Sequence, residues 1–357
     1  MMFGLTSVLL LGLVGQPAAP QPPTTALVRH DFSTSDDGWL GLGDIAKVSR
    51  TAPPAPTLHF EYMVGKDSLS ALVHTFEPGV LKGAQRLHFS AKTDTDTVLA
   101  VLIQEKGGGR FSATATLPKN VWQEIEFSPS ELALARDKGD PADANGKLDA
   151  DQIESVSLID LHEFFIRTAD GPAKALFPGI VAGPRELWLK EFSVGTAALP
   201  APGLDGLARP QLSWIGVGGA DLKRTAAAKS PLTATSVEAA YQVGSGKVAG
   251  IFHALVSGAL AEKTSLTLSV AVLKSATFLV QLEDDQGGKF NTTIEVPGVR
   301  SARKLTLPLA DFKPDNDSKR DKLDASRVKQ LLILDISGLT ESVEQNNTLW
   351  LANLEAK

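Results

Sequence analysis

Val98-Leu99-Ala100-Val101-Leu102-Ile103-Gln104 runs into Gly107-Gly108-Gly109 and returns as Phe111-Ser112-Ala113-Thr114-Ala115-Thr116. Side chains alternate along an extended strand, so Leu99, Val101 and Ile103 share one face while the other turns polar at Gln104. Two such runs around a glycine-rich step read as a hairpin. The threonines of the returning run suit a half-exposed strand. The pattern recurs 179 residues later. Phe278, Val280 and Leu282 take the apolar positions, Gln281 and Glu283 the polar ones, and Gln286-Gly287-Gly288 the turn. Phe290-Asn291-Thr292-Thr293-Ile294-Glu295 is the returning strand.

The correspondence extends outward from this hairpin. With the same offset Tyr62 meets Tyr241, His74 meets His253, Ser90 meets Ser269 and Pro118 meets Pro297. Further on the offsets change but the order holds. Ile125-Glu126-Phe127 matches Leu305-Thr306-Leu307, and Leu148-Asp149-Ala150 matches Leu323-Asp324-Ala325. Ser157-Leu158-Ile159-Asp160 matches Leu332-Ile333-Leu334-Asp335, and Leu187-Trp188-Leu189 matches Leu349-Trp350-Leu351. Upstream, Trp39-Leu40-Gly41-Leu42-Gly43 matches Trp214-Ile215-Gly216-Val217-Gly218. The chain is an internal duplication, which must be recognised before any fold assignment. It divides into a first domain over 25–197, a linker over 198–206 and a second domain over 207–357. The stretch from Ala197 to Gly203 is small, uncharged and proline-rich and offers little to bury.

The 357 residues include no cysteine, which removes disulfides, thiolate nucleophiles and cysteine-ligated metals together. A net charge of −6 argues against a nucleic-acid partner. Residues 3–15 are apolar and uncharged, shorter than the roughly 20 residues of a bilayer span. A stretch rich in Pro and Ala follows, from Pro17 to Pro23. Residues 1–23 therefore read as a signal peptide and proline-rich start cut near Ala18 and Ala19, although no basic residue precedes the apolar run. This predicts an extracytoplasmic protein (periplasmic, cell-surface or secreted) with no membrane span after cleavage.

Short strands with frequent turns predict an all-β protein of two tandem β-sandwiches. Asp149 and Asp324 stand where an N-cap belongs and predict one short helix in each repeat. Several stretches carry a resemblance at this point. They are Gly38-Trp39, Phe60-Glu61-Tyr62-Met63-Val64-Gly65, Leu87-His88-Phe89-Ser90-Ala91-Lys92, Trp122-Gln123-Glu124-Ile125-Glu126-Phe127, Leu148-Asp149-Ala150-Asp151-Gln152-Ile153 and Leu187-Trp188-Leu189-Lys190-Glu191-Phe192. Each repeat resembles a jelly-roll domain of the galactose-binding-like superfamily, the fold of many non-catalytic carbohydrate-binding modules. The resemblance implies binding without catalysis, no cofactor, and a polysaccharide or cell-envelope component as partner. The alternative is a structural or protein-interaction module of the envelope with no sugar ligand. Such modules often hold a structural calcium through an aspartate of the closing strand. Lys190 and Ala352 stand there instead, so no metal is expected.

The residues add detail. His74 and His253 recur on apolar strands with no second histidine or patterned carboxylates near them in sequence, and read as packed rings rather than ligands. Asp143, Asn145 and Asp149 have partial calcium-loop spacing, but Pro141 and Gln152 replace the anchoring carboxylates, leaving an acidic turn. Glu124 and Glu126 share a strand face at a spacing a glycosidase pair could use, yet Lys304 and Thr306 replace them in the second copy. Trp39, Trp188, Trp214 and Trp350 recur in both copies and read as core; Trp122 does not recur. The stretch between Asp160 and Trp188 holds 27 residues, against 14 between Asp335 and Trp350, and the excess carries Phe164, Phe165 and Phe177. A ligand surface built from Gln104, Trp122, Glu124, Glu126, Phe164 and Phe165 is therefore expected on the first domain alone.

Overall fold

A computed structural model describes residues 26–357 apart from 53, 68, 136–142, 144, 168–175, 257, 299–300 and 341–343. The signal-peptide reading falls outside the described residues. No helix among those described is long and apolar enough to cross a membrane.

The first repeat contributes β1 (Ala26–His30), β2 (Leu40–Leu42), β3 (Lys47–Arg50), β4 (Leu58–Val64), β5 (Ala71–Thr75) and β6 (Arg86–Thr93). It continues with β7 (Thr97–Glu105), β8 (Arg110–Leu117), β9 (Gln123–Phe127), β10 (Ala133–Leu134), β11 (Ile153–Asp160) and β12 (Gly183–Gly195). One sheet runs β3-β4-β12-β6-β9 with β1 also on β12, and the facing sheet runs β10-β8-β7-β11-β5-β2. The second repeat has β13 (Trp214–Val217), β14 (Asp221–Thr225), β15 (Ser236–Val243), β16 (Ala249–Ala254), β17 (Ser265–Val272) and β18 (Ala276–Asp284). Then come β19 (Lys289–Val296), β20 (Arg303–Pro308), β21 (Lys313–Pro314), β22 (Val328–Asp335) and β23 (Gln345–Ala356). Its sheets run β14-β15-β23-β17-β20 and β13-β16-β22-β18-β19-β21. Each strand from β2 to β12 occupies the place of its counterpart from β13 to β23, and all pairings are antiparallel. The molecule is a tandem pair of jelly-roll sandwiches.

Alternation builds each core. Leu99, Val101 and Ile103 are buried in one, Phe278, Val280 and Leu282 in the other. The repeated tryptophans Trp39 and Trp214 are 1% and 0% exposed. Tyr62 and Tyr241 anchor the same interaction twice. Each hydroxyl donates at 3.0 Å to a buried carboxylate, of Asp160 and Asp335 respectively. The same aspartates accept the backbone N–H two residues on, from His162 and Ser337, and so start a short helix in each repeat. These helices, α1 (His162–Arg167) and α2 (Ser337–Thr340), are additional to the short helices expected after Asp149 and Asp324. After Asp149 and Asp324 there is a single 3-10 turn, because Ile153 and Val328 lead directly into β11 and β22.

The linker is not an open hinge. Thr116 of β8 pairs with Leu212, and its N–H donates to the Leu212 carbonyl at 2.7 Å, so the sheet holding β8 and the sheet holding β13 meet edge to edge. Arg209, 3% exposed, donates through Nε to Glu131 at 2.9 Å, and Gln211 Nε2 reaches the Glu126 carbonyl at 2.6 Å. Linker composition could not reveal this, because the polar groups that dock lie just beyond it. The insertion crosses as well. Leu176 and Phe177 pack on Val217, Phe252, Leu279, Leu332 and Leu334, the outward side of the second domain's six-stranded sheet. The Leu176 carbonyl accepts the Gly218 N–H at 2.6 Å. Gly218 adopts φ +66°, and a Cβ there would lie 2.0 Å from the Val248 carbonyl oxygen, so only glycine fits this turn.

Candidate functional site

The outer face of the β3-β4-β12-β6-β9 sheet carries the most varied chemistry in the first domain. Inward positions on its strands are apolar: Phe60 and Tyr62, Leu87 and Phe89, Leu187 and Leu189, Ile125 and Phe127. Alternation therefore turns His59 and Glu61, His88 and Ser90, Trp188, and Glu124 and Glu126 outward. Trp188, read from sequence as core, is half-buried on this outer face. Its ring lies parallel to His59, 3° between planes and 5.0 Å between centroids. Lys92 Nζ sits 4.3 Å from the Trp188 ring centre and 5.4 Å from that of Trp122. Trp122 is 40% exposed. A lysine between two indoles is held by their negative faces and orients both. The result is a row from Trp122, just before β9, through Lys92 of β6 and Trp188 of β12 to His59 of β4.

Polar groups flank the row. His59 Nε2 contacts Glu186 Oε2 at 2.8 Å, and His88 Nε2 contacts Glu124 Oε2 at 2.8 Å. His88 Nδ1 lies 3.7 Å from Glu191 Oε1. Glu126 is paired with Arg86. Among the described residues, His88, Glu124 and Glu191 form a group whose potential metal-ligating atoms all lie within 4.8 Å of one another.

The expected surface is divided by the fold. Trp122, Glu124 and Glu126 share this outer face. Gln104 lies on β7 in the opposite sheet, where its Nε2 donates to the Glu105 and Gly108 carbonyls at 2.9 Å and stiffens its own hairpin. Phe165 stacks on Phe177 at 3.8 Å between centroids and 3° between planes. Both line a cleft of about 510 Å³ between the domains, together with Asp96, Arg185 and Asp221. Phe164 is 46% exposed on α1. Beside it on α1, Glu163 is fully buried, accepts the Ser70 N–H, and is pushed by burial up to about 7.

The histidines of the repeats serve packing. His253 stacks on Trp214 at 4.6 Å and its Nδ1 bonds the Ser213 carbonyl at 3.2 Å; burial holds it down at about 4. His74 is also lowered by burial to about 4. It does have a histidine neighbour, His30, at 4.6 Å, whose Nδ1 accepts from Trp39 Nε1 at 3.0 Å. Sequence reasoning missed His59, His88, Lys92 and Glu191. Alternation supplied a signal for each, but their association depends on strand order.

No protein-family model matches the chain, and no curated protein matches it in sequence. Solved structures do match. The family 11 carbohydrate-binding module from Clostridium thermocellum, in complex with a β-1,3-1,4-mixed-linked tetrasaccharide, is 18% identical. That match covers 48% of this chain and 96% of that one, with a TM-score of 0.36. The tandem CBM22-1–CBM22-2 domain of Paenibacillus barcinonensis Xyn10C is 12% identical over 95% of this chain and 99% of that one, at 0.29. The agarase AgWH50C is 13% identical over 52% and 26%, at 0.34. The functional reading rests on the side chains of this chain.

Proposed function

We propose that the protein is an exported, non-catalytic binding protein whose first domain takes a carbohydrate on the outer face of the β3-β4-β12-β6-β9 sheet. The observation that carries this reading is the row Trp122, Lys92, Trp188 and His59 beside carboxylates. Flat rings accept the apolar faces of pyranose rings, and the flanking Glu186, Glu124 and Glu191 accept hydroxyl hydrogens. The pairing of Glu126 with Arg86 and of Glu124 with His88 supports the non-catalytic reading. Neither is poised as a free acid or nucleophile.

Calorimetric titration of the full chain with soluble mixed-linkage β-glucan, xylan and agarose oligosaccharides tests this. Binding that weakens about tenfold in Trp122→Ala and again in Trp188→Ala, a loss of about 1.4 kcal/mol each, supports the placement. Binding that ignores both substitutions removes the site from this face. One observation favours the second reading, a protein-interaction module. Leu40, Leu42, Ile45 and Leu69 are 61%, 53%, 50% and 50% exposed at and beside the edge strand β2. A chain that binds none of the polysaccharides and associates through this edge fits that reading.

A further inference from the structure

β6 is the middle strand of three, with β12 on one side and β9 on the other. Register places Glu124 of β9 and Glu191 of β12 directly opposite the same residue, Ser90. His88 lies two residues along β6, on the same face as Ser90. The two carboxylates and the imidazole thus surround the serine. Ser90 is 1% exposed, and its Oγ makes no hydrogen bond. A buried hydroxyl without a partner is unfavourable, and register sets this one between two carboxylates, neither of them hydrogen-bonded to it. Of the nearby cations, Arg86 is engaged by Glu126 and Lys92 by the two indoles, while Arg29 of β1 lines the same pocket as His88 and Glu191.

The second domain fills the same place differently, and there the buried Thr267 hydroxyl lacks a partner. Lys304 is opposite Ser269, where Glu124 stands in the first copy. Asn353 replaces Glu191 and donates to Ser269 Oγ at 3.2 Å, and Thr267 replaces His88. A fixed ammonium group and an amide thus stand where the first domain has two carboxylates.

We propose that His88, Glu124 and Glu191, with Ser90 Oγ at the floor, form a site for a divalent transition-metal ion in the first domain only. One imidazole with carboxylate and hydroxyl oxygens is a donor set for Zn2+ or Co2+ rather than for Ca2+, which takes oxygen ligands alone. Ligands about 2.1 Å from a common ion stand about 3 Å apart. His88 Nε2 and Glu124 Oε2 are already 2.8 Å apart, whereas Glu191 Oε1 lies 3.7 Å from Nδ1 on the other side of the ring and must swing to join them. The site does not depend on the carbohydrate reading, and its test contains no sugar.

The probes are ZnCl2 followed by calorimetry and thermal unfolding of the full chain, and CoCl2 followed by its visible absorption. The expected result is one equivalent bound, a melting temperature that rises until the site is filled, and a Co2+ spectrum shifted from that of the aqueous ion. His88→Ala and Glu191→Gln each weaken binding about tenfold or more while leaving the melting temperature in EDTA unchanged. Glu61→Gln, on the same face but outside the site, leaves binding unchanged. No heat and no thermal shift at about 1 mM Zn2+, near −4 kcal/mol of binding energy, overturns the proposal. Binding that survives His88→Ala and Glu191→Gln also overturns it.

Discussion

The two domains share a strand order and a buried skeleton, but they differ on one face. On the first, His59, Lys92, Glu124 and Trp122 stand around Trp188. On the second, Glu238, Ala271 and Lys304 occupy the matching places around Trp350, and the loop match places no tryptophan at the position of Trp122. Trp188 is half-buried whereas Trp350 is 5% exposed. Lys223 and Thr225 converge on Glu238, closing that face with ion pairing and hydrogen bonds of its own. The inward positions remain alike because packing constrains both copies equally. The outward positions face water and were free to diverge, so chemistry present in only one copy marks a role the fold itself does not require.

The largest effect expected concerns whether the two copies can be compared as separate bodies at all. Arg209→Ala leaves Glu131 without its charged partner at the junction, which costs about 3–5 kcal/mol for a buried pair. Calorimetry should then resolve two unfolding transitions where the parent shows one. A parent that already unfolds in two steps would show that the junction does not couple the domains.

Acidification separates the copies next. His253 is held near 4, so the unfolded chain binds a proton that the folded chain refuses between about pH 6.5 and 4. Stability falls as pH drops through that window, by on the order of 3 kcal/mol. The first domain carries His74 with the same sign, but also Glu105 and Glu163, raised by burial to about 7. These two bind a proton more readily when folded, and the stability they contribute is lost as pH rises from about 4.5 to 7. As pH falls from about 6.5 to 4.5 the two glutamates outweigh His74, so the first domain should gain stability where the second loses it, a gain reduced by His30 and His162, which burial also lowers. Urea titrations at several pH values in the Arg209→Ala background, where the two transitions separate, with His253→Gln as control, check this; an equal acid response in both domains breaks the contrast.

Tyr62→Phe and Tyr241→Phe each remove a hydroxyl from a buried carboxylate, a loss of about 2 kcal/mol. The two losses should agree within about 0.5 kcal/mol if the skeletons are equivalent. The smallest effect belongs to the face itself. Trp122→Ala should change stability by no more than about 1 kcal/mol, since the indole is largely on the surface, while its effect on saccharide binding is separate. A large loss of stability would make Trp122 a packing residue and weaken the contrast between the faces.

Much of the fold was legible because the code is local. Period-two alternation, glycine turns and the matched tyrosines and aspartates identify strands and pair the halves without knowledge of strand order. The site was less legible because it is assembled across strands. Leu187-Trp188-Leu189 already puts the tryptophan opposite its leucines by parity, so its outward position was present in the sequence. That Trp188 would meet His59 on β4 and Lys92 on β6 depends on β12 lying between those strands. Gln104 shows the same limit from the other direction. It alternates outward as Glu124 does, but from the opposite sheet, and parity carries no record of which sheet a strand joins.

The edge-to-edge junction at Thr116 and Leu212 bears on avidity. Domains on a flexible tether search for neighbouring sites on a polymer and gain from a high local concentration, whereas a fixed pair gains only where the polymer's own path matches the spacing and angle between its surfaces. Because the strand bridge, Arg209 and the Leu176–Phe177 crossing all restrict swivelling, any partner that engages both domains at once is selected by its curvature and stiffness as well as by its chemical groups.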